Sequence, residues 1–287
     1  MLSALTRLAL TTVALAALVY LGLLAYLRLN EGDILYQPLV LAGHPGASAE
    51  MLGVPYEAVS FTTADSVRLS AWVIPAGGTD SSGMWVMICH GNAGDISSTV
   101  RPLYYSYLRQ LGVNIFAFDY RGYGQSEGSP SERGLYLDAE AAYDYLSGSR
   151  NVPARRIVIY GHSLGTGVAT ELASRREAGG LVLEGAYTSV TDRAQELYPY
   201  VPVRLVAASR FESIERIGRV RTPMLIMHAI SDRVIPIGHG RRLFQAAREP
   251  KRFIALRGEH DDAFMTDRGA YFGAFGDFIR SLRVADR

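Results

Sequence analysis

Five residues, Gly161-His162-Ser163-Leu164-Gly165, constrain this chain most, because of what flanks them. The run Arg156-Ile157-Val158-Ile159-Tyr160 leads in with strand composition, and Val168-Ala169-Thr170-Glu171-Leu172-Ala173 follows with helix composition. A G-x-S-x-G between a strand and a helix is a nucleophile elbow, a strained turn that lifts the serine Oγ clear of the sheet. Side chains at Gly161 and Gly165 would collide with the neighbouring strand and helix at so tight a turn. The competing reading is a glycine-rich turn whose serine hydroxyl only caps the helix.

The text around the elbow alternates strand and helix. Residues 56–62 and 67–74 read as a hairpin about Ala64-Asp65-Ser66. Continuous apolar runs follow at 85–89, 114–118, 157–160, 181–183, 224–228 and 252–256, as expected of strands buried on both faces of a parallel sheet. Helical patterns lie near 98–111, 133–147, 165–176, 238–248 and 263–283. The expectation is an α/β fold with a doubly wound, mostly parallel sheet and right-handed crossovers. One stretch breaks the rhythm: residues 188–220 separate two strands by more than a crossover needs. They carry Tyr198-Pro199-Tyr200-Val201-Pro202-Val203 and Phe211. This insertion reads either as a lid or acyl-pocket wall, or as an extra helical pair packed on the core.

Residues 8–27 carry no charge and are flanked by Arg7 and Arg28. About 20 helical residues span roughly 30 Å, the hydrocarbon thickness of a bilayer. A cleaved signal peptide would have a shorter apolar core ending in small residues. Here Ala14, Ala16 and Ala17 lie mid-run, and bulky Leu23, Leu24, Tyr26 and Leu27 follow. Residues 1–28 are therefore expected to be an uncleaved membrane anchor, 29–50 an extended linker, and 51–287 the body. The amine and Arg7 before the span, against Arg28, Glu31 and Asp33 after it, favour a body outside the cytoplasm of a bacterial inner membrane. A formal charge of +1 leaves no electrostatic footprint for nucleic acid. The arginines are scattered, and Lys251 is the only lysine. A single cysteine, Cys89, excludes an internal disulfide and a thiolate zinc cluster.

A serine hydroxyl needs a general base within hydrogen-bond reach, and the chain has 6 histidines. His44 lies in the linker, His90 ends a strand before a glycine, and His162 adjoins the serine on a turn that points it elsewhere. His228 lies within a strand and His239 opens a helix. His260 remains, in the loop Arg257-Gly258-Glu259-His260-Asp261-Asp262 between the last strand and last helix, at the sheet edge where catalytic groups converge. The acid that orients it is expected at Asp232, in the loop after the 224–228 strand; Glu184, Asp261 and Asp262 are the alternatives. The order Ser163, Asp232, His260 is that of α/β-hydrolases. For the oxyanion hole, one donor is the Leu164 N–H. The other is the Asn92 N–H in His90-Gly91-Asn92-Ala93-Gly94, with Ala93 as the alternative. His90 is read as a brace for that loop.

Together with Asp119-Tyr120-Arg121-Gly122-Tyr123-Gly124-Gln125-Ser126-Glu127-Gly128, these segments resemble the α/β-hydrolase superfamily. They are most similar to its membrane-anchored, bud-emergence-type branch, from about residue 50 to 285. The resemblance implies an α/β-hydrolase fold, a catalytic serine without cofactor, and a bracing role for Asp119 and Arg121. Some relatives carry arginine where His162 stands. The implied activity is cleavage of carboxylic esters or thioesters through an acyl-enzyme, on acyl-lipid or acylated substrates at a membrane. A peptidase or acyltransferase using the same triad, or a silent binding protein on the same scaffold, are the alternatives. Metal-dependent hydrolysis through Glu259, His260, Asp261 and Asp262 lacks a second histidine at ligand spacing, so no metal is expected.

Overall fold

The apolar runs become one eight-stranded sheet in the computed structural model, which describes residues 3–38, 49–50, 52–77, 83–98 and 100–284. The strands are β1 Glu57–Thr62, β2 Arg68–Ile74, β3 Trp85–Cys89, β4 Asn114–Phe118, β5 Ile157–His162, β6 Gly180–Glu184, β7 Met224–Ala229 and β8 Lys251–Leu256. Their spatial order is β1-β2-β4-β3-β5-β6-β7-β8; β2 is antiparallel to β1 and β4, and every other pair is parallel. Chain direction across the sheet reverses at β3, which lies between β4 and β5. The carboxyl ends of β3 and β5 therefore open onto a crevice, where open α/β sheets place their ligands.

Helices cover both faces. They are, in order, α1 Ala4–Leu29, α2 Glu31–Leu35, α3 Arg101–Leu108, α4 Glu132–Asp144, α5 Leu164–Arg175 and α6 Val190–Leu197. Short α7 Val203–Val206 and α8 Ser213–Arg216 follow, then α9 Gly238–Ala246, α10 Ala263–Thr266 and α11 Arg268–Val284. Leu135 and Ala139 of α4, Val168 and Leu172 of α5 and Leu243 of α9 form one core with Phe116, Ile159 and Leu183. Tyr105 and Leu108 of α3 and Phe275 and Ile279 of α11 form the other, against Val86, Val158 and Leu225. Strands β4 to β7 are buried nearly throughout, as continuous apolar runs require, but β8 is not. It is the sheet edge, so Arg252 and Ala255 are exposed despite the apolar run around them.

Two sequence expectations are corrected. Residues 29–38 do not form an extended linker: α2 follows α1 after Asn30, and Gln37 bridges to Ala93. Local capping explains the turn, since the Asn30 side chain donates to Tyr26 O and Tyr36 N–H to Gly32 O. Residues 39–48 of that expected linker lie outside the described residues. The insertion between β6 and β7 contributes Phe211, Ser213 and Ile217 to the interior but no wall of the cavity above β5, so the acyl-pocket reading fails. Its buried residues are drawn under α4 and α5, where Phe211 packs edge-on to Tyr136. Among the described residues, α1 alone is long and apolar enough to cross a membrane, and none of it is buried against the body.

Candidate active site

Ser163 joins β5 to α5 with φ 51°, in a region that non-glycine residues avoid. Such strain persists only where surrounding contacts hold it, and here they are visible. Ser163 N–H donates to Glu184 O (3.0 Å), and Ser163 C=O accepts from Thr166 N–H (2.9 Å) and Thr166 Oγ1 (2.7 Å). A Cβ at Gly165 would stand 2.0 Å from Cys89 O in β3, and one at Gly161 2.5 Å from Gly165 O in α5. The strand and the helix thus approach each other only because both positions are glycine. Although Ser163 occupies the N-cap position, its hydroxyl makes no capping bond. The Oγ lies 2.8 Å from His260 Nε2 instead, which decides against the helix-cap reading.

His260 follows β8 and Asp232 follows β7, so sheet register brings both loops to the elbow. His260 Nδ1 lies 2.7 Å from Asp232 Oδ2. With Nδ1–H donating to the carboxylate, Nε2 is free to accept the Ser163 hydroxyl proton. Asp232 Oδ1 accepts Ile235 N–H (2.7 Å), and His228 Nε2 stands 3.5 Å from Oδ2 while donating to Ile235 O (2.8 Å). Burial pushes the Asp232 carboxyl up, but hydrogen bonds from His228 and His260 outweigh it and hold it well below the usual carboxylate range. Burial likewise favours neutral His260, yet the Asp232 charge prevails and raises its pKa above 6.5. Glu184, the alternative acid, is instead hydrogen-bonded by Tyr160 OH and, at 2.6 Å, by Tyr271 OH. Asp262 accepts Glu259 N–H (2.6 Å), and exposed Asp261 lies 3.7 Å from His162 Nε2.

The β3 loop is pinned where oxyanion donors are expected. His90 Nδ1–H donates to Gly91 O (2.7 Å), and in a trans peptide this fixes the Asn92 N–H in the opposite direction. The next carbonyl, Asn92 O, accepts Gln37 N–H (3.0 Å) and Tyr123 OH (2.9 Å), which fixes the Ala93 N–H in the same way. Burial holds the His90 pKa well below its usual value, with Arg101 adding to the effect, so it stays neutral as a brace. The 119–128 loop is braced too. Arg121 Nε donates to buried Asp138 (2.9 Å), its Nη1 and Nη2 to Asp65 (2.8 and 2.9 Å), and Asp119 Oδ1 accepts Ile96 N–H (2.8 Å).

Comparison with known proteins agrees with this fold. A family model described as "Serine aminopeptidase, S33" matches residues 81–214. An uncharacterized protein of Mycobacterium tuberculosis is 37% identical over 279 residues, 96% of each chain. The α/β hydrolase domain-containing protein WAV2 of Arabidopsis thaliana is 31% identical over 255 residues, 82% of each chain. The chain belongs to the α/β-hydrolase superfamily. The hydrolase is also 33% identical, over 79% of its length and 80% of the other chain, to the uncharacterized membrane protein YNL320W of Saccharomyces cerevisiae. Among solved structures, the esterase Pf2001 of Pyrococcus furiosus superposes with a TM-score of 0.70 at 19% identity, over 86% of this chain and 98% of that one. An α/β serine hydrolase homologue of Coxiella burnetii gives 0.59 at 19%, over 79% and 97%. At such identities the likeness is one of fold.

Above Ser163 the hydrolase holds a cavity of about 600 Å³. Tyr104, Tyr160 and Phe264 form an aromatic wall, and Arg101 and Glu184 supply opposite charges. Arg101 is fixed by donating to Asp95 O and to Ala93 O (2.7 Å), so it also clamps the β3 loop. Sequence reasoning missed Arg101, the tyrosines around Glu184, and Gln37. A signal for Glu184 existed: it ends β6 and pairs with His162 at the end of β5. His162, His260 and Asp261 place ligand atoms within 4.8 Å of one another. Both ring nitrogens of His260 are already engaged, so this group fits hydrogen bonding rather than a metal.

Proposed function

We propose that this hydrolase is a serine esterase or thioesterase working through an acyl-enzyme, and that α1 anchors it in a membrane. The observation that carries the reading is the Asp232–His260–Ser163 hydrogen-bonded chain on a strained elbow. His260 Nε2 takes the Ser163 proton as Oγ attacks the carbonyl carbon, and the N–H groups of Leu164 and Asn92 bind the oxyanion. When the tetrahedral adduct collapses, His260 returns that proton to the departing alkoxide or thiolate. Water, deprotonated by His260, then attacks the acyl-Ser163 ester and releases the acid. Asp232 stabilises the imidazolium in both halves. Acyl-lipid or acylated substrates suit a body tethered at a bilayer. The uncharged residues 8–27, absent from the buried core, support the anchor. A body outside the cytoplasm is part of this reading, which protease access in intact cells tests.

The family model's description favours a second reading, in which the same triad cleaves an amide at a peptide N-terminus. The full-length protein, exposed to a fluorophosphonate probe, is expected to be labelled, and its Ser163→Ala variant is not. A folded wild type that stays unlabelled contradicts both readings and leaves a binding protein. Turnover of ester and thioester ladders beside aminoacyl amides separates the first reading from the second.

A further inference from the structure

The insertion that fails to wall the cavity leans on α1 instead. Tyr20 OH donates to Tyr200 O (2.6 Å), Glu31 accepts the N–H groups of Ala208 and Ser209 (2.6 Å each), and Tyr36 OH meets Ser209 Oγ (3.1 Å). Tyr20 lies eight residues before Arg28, about 12 Å along the helix, and thus inside the uncharged span. The tip of the insertion is carried to that level.

Its side chains and backbone suit such a place. Tyr200 is 89% exposed and Leu205 86%, with Tyr198 and Leu197 beside them. Leu18, Val19 and Leu21 of α1 are exposed as well. Tyr20 and Tyr200 meet there through that hydrogen bond. Irregular backbone beside hydrocarbon must satisfy its own polar groups. Every carbonyl of residues 198–202 accepts a hydrogen bond: Tyr198 O from Val201 N–H and Gln195, Pro199 O from Gln195, Tyr200 O from Tyr20, Val201 O from Val203 N–H, and Pro202 O from Leu205 N–H. Pro199 and Pro202 bring no N–H at all. Arg204, the cation between Tyr200 and Leu205, is exposed and pairs with Asp192 (2.7 Å).

We propose that residues 198–206 are a second membrane-contacting element, seated beside α1 at the depth of Tyr20 with Tyr198, Tyr200 and Leu205 against lipid. This rests on the reading of α1 as a membrane anchor. Its occupant is lipid rather than protein because the Tyr20–Tyr200 hydrogen bond holds the exposed tip against the uncharged span of α1. It also sets where substrate arrives. Arg193 of α6 donates to Val234 O (2.5 Å), and Val234 lines the cavity, so the insertion ties the cavity rim to the membrane surface.

Buried Cys89 leaves a cysteine placed by Leu205→Cys open to selective labelling with an environment-sensitive fluorophore. The full-length chain is reconstituted in vesicles of phosphatidylethanolamine and phosphatidylglycerol. Leu23→Cys on α1 and Ser149→Cys after α4 serve as membrane and aqueous references. Nitroxide-bearing lipid is expected to quench the 205 label several-fold more than the 149 label, and to an extent near that at 23. Lipid quenching at 23 with only iodide quenching at 205 overturns the proposal while leaving the anchor standing. Iodide quenching at both 23 and 205 overturns the anchor and the proposal together. A 205 label shielded from both quenchers, in proportion to protein density, means that a second copy covers the tip and also overturns it.

Discussion

The triad loops and the segment that runs from α1 into the body meet at one cavity, yet they are held there by different physics. Ser163, Asp232 and His260 are each less than a tenth exposed and follow three strands of one sheet. Register along the sheet positions them, so their separation of 28 and 97 residues costs little precision. Residues 30–38 belong to no ladder beyond the Gln37–Ala93 bridge. They are held by side chains reaching backbone amides far along the chain, as Glu31 does at Ala208 and Ser209. Chemistry set by sheet register should tolerate change at the α1 end of the body, whereas the docked segment should yield to single substitutions.

The largest effect is expected at the nucleophile. Ser163→Ala should lower kcat on the order of 10⁶-fold, and Asp232→Asn roughly 10⁴-fold, by analogy with other triads. Both should leave the melting temperature close to that of the wild type, measured by calorimetry; a large fall in stability would mean the triad also builds the fold. Next comes the turn itself. Gly165→Ala drives a Cβ into Cys89 O, a backbone atom that cannot move aside, and should cost about 3 kcal/mol or more. Gly148→Ala, with nothing within 4 Å, should cost none of that in the same denaturant titration.

The pH profile sharpens the contrast further. His260 acts as a base only when neutral, and Asp232 raises its pKa against the opposing effect of burial. The acid limb of kcat/KM should therefore inflect above 6.5, activity falling as pH drops through that point. In Asp232→Asn the raising charge is gone and burial remains, so the limb should move to lower pH. A limb that stays put would detach His260 from the rate. The smallest effect is expected at the docked segment. Glu31→Gln keeps one acceptor oxygen but loses charge, and should cost about 1 kcal/mol in unfolding with less than a tenfold change in kcat/KM. A loss as large as that of Asp232→Asn would place the segment inside the catalytic machinery.

Much of this was legible in the sequence, for a physical reason. Buried parallel strands announce themselves as apolar runs, and β3 and β4 match the expected ranges residue for residue. A fold of that kind collects strand-end loops at one edge, so eliminating histidines by position could find His260. What stayed illegible depends on pairs of distant segments. Nothing near Glu31 in the sequence indicates Ala208, and nothing near Tyr160 indicates Tyr271. The edge exposure of β8 was hidden because its composition matches that of an interior strand.

The central claim is that Ser163 carries the acyl group during turnover. Rapid acid quench of the full-length enzyme with an activated ester, followed by peptide mass spectrometry, tests it directly. The account predicts the acyl mass on the peptide containing Ser163, absent from Ser163→Ala. Undiminished turnover by Ser163→Ala, with no acyl group on any peptide from the wild type, would contradict it.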